Sequence, residues 1–437
     1  MERMIPLSRN SAVFGLNIDP ISHHNGAWRH PLTQVSRAYD ISYSLELSRM
    51  ADAAGLDMVF IADGLSVNRY APDSVVLGFE PLTLLSAVAV NTRNVGLVCT
   101  VSSTFTEPYN LARMMSSLDR ISHGRAAWNV VTTANPNAAL NFGPETLPDH
   151  DSRYERAAEF LDVATALWTG WQADAVVADK DRGMYFDPDR VAVTGHHGRF
   201  FTVEGPLNAP RSPQGKPVIV QAGASATGRD FAARYADIVY MVSQDLEDAK
   251  AYYQDIKRRA RDHGRAEADI LVIMSVRVLV EQHDNAAQER AAELAELVSA
   301  EATLKRVSSF IGVDLTRYAL HDVLPPLPEA DDIQGYRTQL ALVRRLVQSG
   351  QVRTLRELAT RLNGGQGVLS FTGDGRSVCD NLQLWFEEKA ADGFMILPQQ
   401  TQRDAENFVK FSLPVIRSKP FGRQRPEGAT FRNRLFG

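Results

Sequence analysis

Short apolar runs alternate along this chain with stretches of helical periodicity. The runs lie near 12–17 (Ala-Val-Phe-Gly-Leu-Asn), 57–61 (Asp-Met-Val-Phe-Ile), 95–100 (Val-Gly-Leu-Val-Cys-Thr), 125–131, 217–222 (Pro-Val-Ile-Val-Gln-Ala), 237–241, 270–279 and 393–397 (Gly-Phe-Met-Ile-Leu). They are short and apolar, as strands covered on both faces are. Amphipathic helical patterns follow at 40–54, 81–91, 108–120, 150–169, 225–235, 246–263, 285–306 and 403–416. Strand and helix in strict alternation build a parallel sheet from βα units. Eight such pairs predict an α/β fold, a (β/α)8 TIM barrel. That barrel needs about 250 residues.

The chain has 437 residues, so much of it is surplus to the barrel. The surplus falls in two places: 171–215, rich in Gly, Pro and Asp, and 301–390, with Pro325-Pro326, extra helices and Gly364-Gly365. Neither contains a repeat or low complexity, so both read as insertions on one domain spanning 1–437. The stretch 417–437 carries Arg417, Lys419, Arg423, Arg425, Arg432 and Arg434 against Glu427. With Phe421, Phe431, Leu435 and Phe436 beside them, it reads as a basic C-terminal arm, packed on a neighbouring subunit or solvated.

Composition narrows the function classes. Hydrophobic residues make up 44% and charged residues 23%, ordinary for a globular protein. A net charge of -5 gives no general attraction for nucleic acid or an anionic membrane. Cys99 and Cys379 are far apart, which suits two structural thiols in a reducing compartment. The opening Met-Glu-Arg-Met-Ile-Pro lacks the apolar run of a signal peptide. No apolar run reaches the ~18 residues of a membrane span. A cytoplasmic location is expected.

In a βα barrel the chemistry collects at the C-terminal strand ends. The first loop holds His23-His24 and Trp28-Arg29-His30. A metal site would need ligands from later strands, and Gln221-Ala-Gly-Ala-Ser225 and Leu397-Pro-Gln-Gln400 supply none. Contact with substrate or cofactor, or plain loop structure, remains. Strand two ends in Asp63, which either caps a turn or accepts hydrogen bonds from a ligand N–H. Strand three ends in the hydroxyls Thr100, Ser102, Ser103 and Thr104. Strand four carries Asn129, an amide that donates and accepts at once, and runs on to Thr132, Thr133 and Asn135. Together these suit a flat heterocycle with carbonyl and N–H groups. Strand five runs into Gly223-Ala-Ser225 at a helix start. Small residues allow close approach there, and the free N–H groups and dipole of a helix N-terminus favour phosphate. A simple Ser N-cap is the plainer alternative. His150 and Tyr154 stand four apart on one helix face. Gly365-Gln-Gly367 only loosely mimics a dinucleotide loop. With little acid–base machinery in view, a cofactor that brings its own chemistry is expected.

Several segments resemble the bacterial luciferase-like flavin monooxygenases. The similarity is to the branch of nitrilotriacetate and EDTA monooxygenases, dibenzothiophene-sulfone monooxygenase and the pristinamycin synthase flavoprotein. The segments are Gly26-Ala-Trp-Arg-His30, Asp63-Gly64, Gly124-Arg-Ala-Ala-Trp-Asn-Val-Val-Thr132, Asn141-Phe-Gly143, His150-Asp-Ser-Arg-Tyr-Glu-Arg156, Trp168 and His196-His-Gly198. Gly205-Pro-Leu207, Pro210-Arg-Ser-Pro-Gln-Gly215, Gln221–Ser225 and Ala391-Asp-Gly-Phe394 continue the match almost to the end of the chain.

The resemblance implies a barrel that binds reduced FMN (FMNH2) delivered by a separate NAD(P)H:flavin reductase. It implies O2 addition to give a C4a-(hydro)peroxyflavin that oxygenates a small-molecule substrate, often beside nitrogen or sulfur, so that a C–N or C–S bond breaks. Asp63, Ser103 or Thr104, and Asn129 would face the isoalloxazine or ribityl chain. His150, Tyr154, Gly223, Ala224 and Ser225 would hold the ribityl and phosphate end. His23 and Trp28 would lie over the reactive face as catalytic residues. The resemblance suggests a homodimer or homotetramer. The segments 171–200 and 301–335 are candidate lids over a site that must exclude water. Phe310 stands where sulfone-cleaving members carry histidine, which weighs against a sulfone substrate. Three other readings remain: a deazaflavin-dependent oxidoreductase on the same barrel, a non-catalytic flavin-binding protein, and a metal-dependent hydrolase.

Overall fold

The computed structural model describes residues 11–18, 21–67, 75–76, 78–329, 337–365, 367–424 and 430–437. Arg425, Glu427, Gln366 and the opening hexapeptide lie outside the described residues. The strands are β1 (Val13–Asn17), β2 (Met58–Ile61), β3 (Gly96–Ser102), β4 (Ala126–Val131), β5 (Val218–Gln221), β6 (Ile238–Met241), β7 (Leu271–Val280) and β8 (Gly393–Pro398). Each pairs in parallel with the next, β6 joins β7, and β8 lies between β7 and β1, so eight strands close a barrel. A short strand, Ser370–Gly373, adds to the outer edge of β7.

The sheet is apolar on both faces because both are covered. Outward residues such as Phe14, Val59, Leu97, Trp128, Ile219, Val239 and Met274 pack under the surrounding helices in the large core cluster. Inward residues Val13, Met58, Val98, Ala127, Val218, Val220, Ile238, Tyr240, Ile273 and Met395 form a second cluster inside the barrel. Gly15 belongs to this inner set: a Cβ there would come within 2.5 Å of Met395 Cε and 2.9 Å of Met58 Cγ. The edge of Tyr240 meets the Phe60 ring at 5.1 Å between centroids and closes the interior below the mouth.

The C-terminal stretch has a role that composition did not suggest. Helix Phe431–Phe436 plugs the floor of its own barrel, where the strands begin. Phe431 is fully buried against Gly96, and its N–H bonds the Gly124 carbonyl at 2.8 Å. Arg432 grips Asp237 with two nitrogens at 2.9 and 2.7 Å. Arg417, Arg432 and Arg434 thus bond groups of the barrel itself, the Gly55 carbonyl, Asp237 and the Asp57 carbonyl.

The two insertions sit at opposite ends. Residues 171–200 leave the C-terminal end of helix His150–Thr169, which lies at the barrel floor because helices run antiparallel to strands. Their hairpin, Val176–Asp179 with Met184–Phe186, starts there, and His196 returns along the helix flank to Glu159 at 3.0 Å. This segment is therefore not a lid over the mouth. The helices after β7 stand at the mouth. Periodicity suggested one helix over 285–306; the structure has two, Asp284–Glu296 and Ala300–Ile311. Ser299 breaks the run by turning extended and accepting the Ala302 N–H. Ala300–Ile311 packs with Arg337–Gln348 and Leu355–Leu362 around Leu304, Val307, Leu340, Val343, Leu355 and Leu358 as a separate small core. Residues 330–336 of this region lie outside the described residues. No helix among the described residues is long and apolar enough to cross a membrane.

Candidate active site

At the mouth, each strand contributes its last inward residue. Thr100 and Asn129 face each other in the β3–β4 register. The Asn129 amide nitrogen donates to Thr100 Oγ1 at 3.0 Å, and Thr100 in turn donates to the Ile61 carbonyl at 2.7 Å. This relay fixes the amide so that Oδ1 points the other way. Asn129 is 4% exposed, and its Oδ1 has no hydrogen-bond partner. An unsatisfied buried acceptor is costly unless something donates to it.

Asp63 lies just past β2, partly buried. Burial raises its pKa above the usual carboxylate range; the Gly64 N–H opposes that and Glu80 adds to it. Ser103 is buried and donates to the Val131 carbonyl at 3.2 Å, and Thr104 donates to the Thr132 carbonyl at 3.0 Å. Both hydroxyls are thus occupied as donors and present only acceptor lone pairs. Thr133 takes a left-handed φ of 47° and holds Ser102 through a 2.6 Å hydroxyl pair, which turns the chain off the strand.

Around the β5 end the structure joins the residues that the sequence placed apart. Ser225 caps helix Ala226–Tyr235, its Oγ accepting the Gly228 N–H at 3.0 Å. His150 Nδ1 is tied to Asp151 at 2.9 Å, which leaves Nε2 toward Ser225 Oγ at 3.3 Å. His150 and Tyr154 stack side by side, 5.0 Å between centroids, as their spacing predicted. The Tyr154 hydroxyl faces Thr132, Ser225 and Gln221, and burial raises its pKa.

The turn before the helix is held open from behind. Tyr252 OH donates to the Gly223 carbonyl at 2.8 Å, and Arg229 Nε donates to the Ala224 carbonyl at 3.0 Å. A Cβ at Gly223 would sit 2.7 Å from the Gly228 backbone, so only glycine allows this turn to lie on the helix. The first-turn N–H groups of Ala226 and Thr227 have no acceptor within the helix. Hydroxyl, imidazole and open N–H groups converge here as a phosphate-type cradle. Tyr252, Gln221 and Arg229 support it, and nothing in their spacing along the chain marked them.

The first loop is stitched over the mouth. The backbone N–H groups of His23 and His24 both reach the Gln399 carbonyl, at 3.1 and 3.2 Å. Asn25 Nδ2 bonds the Asn363 carbonyl at 2.9 Å. The His23 ring donates to the Asn17 carbonyl, and its Nε2 is buried with no partner. Burial, helped by the Arg277 guanidinium, lowers His23 to about 3, so the ring is neutral and Nε2 carries a lone pair. His24 is likewise lowered to about 3 by burial, Arg277 and Arg306. Its Nδ1 accepts the Gly26 N–H at 3.1 Å, a bond that shapes the loop. Trp28, on the short turn Ala27–Arg29, lies partly buried against the main core.

One mouth residue went unseen in the sequence. Arg277 is the lone charge in the apolar run of β7, and its register with Leu397 places it on the inward face. The parity of that strand was the signal that could have found it.

Fold and site together define a class: a (β/α)8 barrel with buried polar groups and an open helix N-terminus gathered at its mouth. Comparison with known proteins makes the class specific. The luciferase-like monooxygenase family model matches residues 21–354. Nitrilotriacetate monooxygenase component A of Aminobacter aminovorans is 38% identical over 94% of this chain and 93% of its own. N-acetyl-S-(2-succino)cysteine monooxygenase of Bacillus subtilis (strain 168) is 36% identical over 96% of this chain and 95% of its own. A crystal structure of riboflavin lyase with modified FMN and substrate riboflavin is 28% identical and covers 98% of this chain and 96% of that one, with a TM-score of 0.86. The chain belongs to the luciferase-like monooxygenase family and is a flavin-dependent monooxygenase. A coenzyme F420-dependent tetrahydromethanopterin reductase from Methanopyrus kandleri, 15% identical with a TM-score of 0.57, shares the fold alone.

Proposed function

We propose that this chain is the oxygenase component of a cytoplasmic two-component system. It takes up FMNH2 released by a separate NAD(P)H:flavin reductase and oxygenates a small organic molecule beside nitrogen or sulfur, so that a C–N or C–S bond breaks. We further propose that it works as a homodimer or homotetramer. The observation that carries the cofactor reading is the unpaired, buried Asn129 Oδ1.

The residues present fit FMN. Asn129 Oδ1 and Asp63 can accept from ring N–H groups, and Ser103 and Thr104 offer further acceptors along the same wall. Ser225, His150, Tyr154 and the Gly223-Ala224 backbone would hold the phosphate and ribityl end. When bound, reduced FMN supplies the two electrons that let one oxygen atom of O2 enter the substrate. His23 Nε2 would accept a hydrogen bond, or a proton in transit, at the reacting face, and Trp28 would cover that face. The helices 300–311 and 337–362 would keep bulk water out.

Asn129→Leu tests the wall. Leucine fills the same volume and removes the orphan acceptor, so thermal stability should hold or rise. FMN binding should weaken about 10- to 50-fold, the value of one good buried hydrogen bond. Unchanged FMN affinity would take Asn129 off the flavin. The whole reading is tested by anaerobic titration with photoreduced FMN, followed by a reductase-coupled assay. That assay spans amino-polycarboxylates, thioethers, sulfonates and amides, with products read by mass spectrometry. Absence of FMN binding would end it.

A further inference from the structure

Among the described residues, no other arginine leaves more than one buried side-chain nitrogen without a hydrogen bond. Arg125 donates to the carbonyls of Ser122, Val95, Ala89 and Thr92 and to the Thr92 hydroxyl. Arg290 pairs with Asp404 and Glu281. Arg277 is different. Its NH2 reaches the Val368 carbonyl at 3.2 Å, but Nε and NH1 are buried with no partner. No carboxylate among the described residues offsets its charge; burial alone lowers its pKa, to about 10, so it is still a cation at neutral pH. An unpaired buried cation destabilises the fold that holds it.

Only residues without a side chain fit against this cation. Gly364 and Gly365 pass directly over the guanidinium: a Cβ would come within 2.5 Å of NH1 at Gly364 and 3.0 Å at Gly365. The His24 ring lies close to the same point, its Nε2 3.2 Å from a Cβ at Gly364. A cleft in the helical insertion, lined by Arg306, Val307, Phe310, Leu342 and Leu362, ends at Gly365, beside the guanidinium. Around the barrel, β7 lies opposite β3, which carries Thr100, and three strands from Asn129 on β4; the Ser225 cradle after β5 is two strands away. The cation thus sits across the mouth from the wall assigned to FMN.

We propose that Arg277 is the anchor of the substrate site, and that the molecule oxygenated carries a carboxylate docked on this guanidinium. The proposal rests on the reading of the mouth as the oxygenation site. A planar guanidinium fork matches a carboxylate, and pairing with one compensates a charge that no group of the protein pairs. Arg277 therefore sets specificity for an acid and does no proton chemistry.

Isothermal titration of the FMN-loaded protein with succinate, iminodiacetate and dimethyl succinate tests this. The two diacids should bind and the diester should bind at least about tenfold more weakly. Arg277→Gln should weaken the diacids about 30- to 100-fold, Arg277→Lys less, and both should bind FMN within about twofold of the parent. Arg277→Gln should also melt no lower than the parent, because it removes an unpaired buried charge; a merely structural arginine would leave the variant less stable. Three results would overturn the proposal. They are no binding of either diacid at about 10 mM, a diester that binds as well as its acid, or an Arg277→Gln variant that loses FMN and keeps the acids. The last would assign the arginine to the flavin. If FMN itself does not bind, the oxygenase reading fails, and the same titrations on flavin-free protein still decide whether Arg277 holds an acid.

Discussion

Replacing Ser225 with aspartate should weaken FMN binding by about 100-fold or more, with no loss of thermal stability. Ser225 Oγ caps helix Ala226–Tyr235 by accepting the Gly228 N–H. Aspartate is an equally good N-cap and suits the helix dipole, so the fold should tolerate it. The new carboxylate, however, would occupy the place proposed for the phosphate. Two like charges about 4 Å apart repel by about 4 kcal/mol at a protein-surface dielectric, which is where the expected loss comes from. Ser225→Ala gives the contrast. It removes a cap worth about 1 kcal/mol and one hydroxyl but adds no charge, so it should lose some stability and only about tenfold in affinity. Fluorescence titration of FMN and a melting curve on each variant separate the two effects. An aspartate variant that binds FMN normally would show that the phosphate lies elsewhere.

His23→Ala should lower product formation about 100-fold or more while FMN binding stays near that of the parent. A positioned base or hydrogen-bond acceptor contributes about that much to a reaction in which protons move. His23 Nε2, like Asn129 Oδ1, is a bare acceptor at the mouth, and the ring is fixed by its bond to Asn17. Electrons from NADH should still reach O2 in the variant and appear as hydrogen peroxide. Oxygen uptake and peroxide release, measured together, read that diversion.

The pH profile carries a second check. With the folded pKa lowered to about 3, His23 is neutral at every pH above that, so acidification from pH 8 to 5 should not titrate it. The parent profile should lack an inflection near the ordinary histidine value of about 6.5 attributable to this residue. An inflection there that vanishes in His23→Ala would mean that the ring is more solvated than the structure shows. Full product yield from the variant would remove His23 from the reaction.

The barrel was readable in the chain because its strands are covered on both sides. Each strand in the structure lies within a few residues of its apolar run, from Val13–Asn17 to Gly393–Pro398. Continuous burial writes a continuous apolar run, and helical periodicity marks the gaps. The cradle was partly readable for a related reason. Ser225 follows a strand end by a fixed number of residues, and His150 and Tyr154 are joined by helical spacing. Both are local relations, and the structure keeps them.

What was misread depended on which end of the barrel a segment reaches. Residues 171–200 look like any polar insertion, but the helix before them ends at the floor. The tail around Phe431 reads as a basic arm because its acidic partner, Asp237, is distant in sequence. Helix 285–306 kept its periodicity across a break that a single capping serine imposed.

The order of strands and helices, the polar residues at the strand ends and the helix start that suits a phosphate were all determined by the sequence itself, because each is encoded in neighbours along the chain. Only the closed barrel decided that Asn129 would be left with a free acceptor, that His23 would be buried and neutral, and that Arg277 would face inward without a counter-ion. Those properties come from what the rest of the molecule places, or fails to place, within a few ångströms. Burial and pairing are relations across the barrel, and a one-dimensional pattern does not record them.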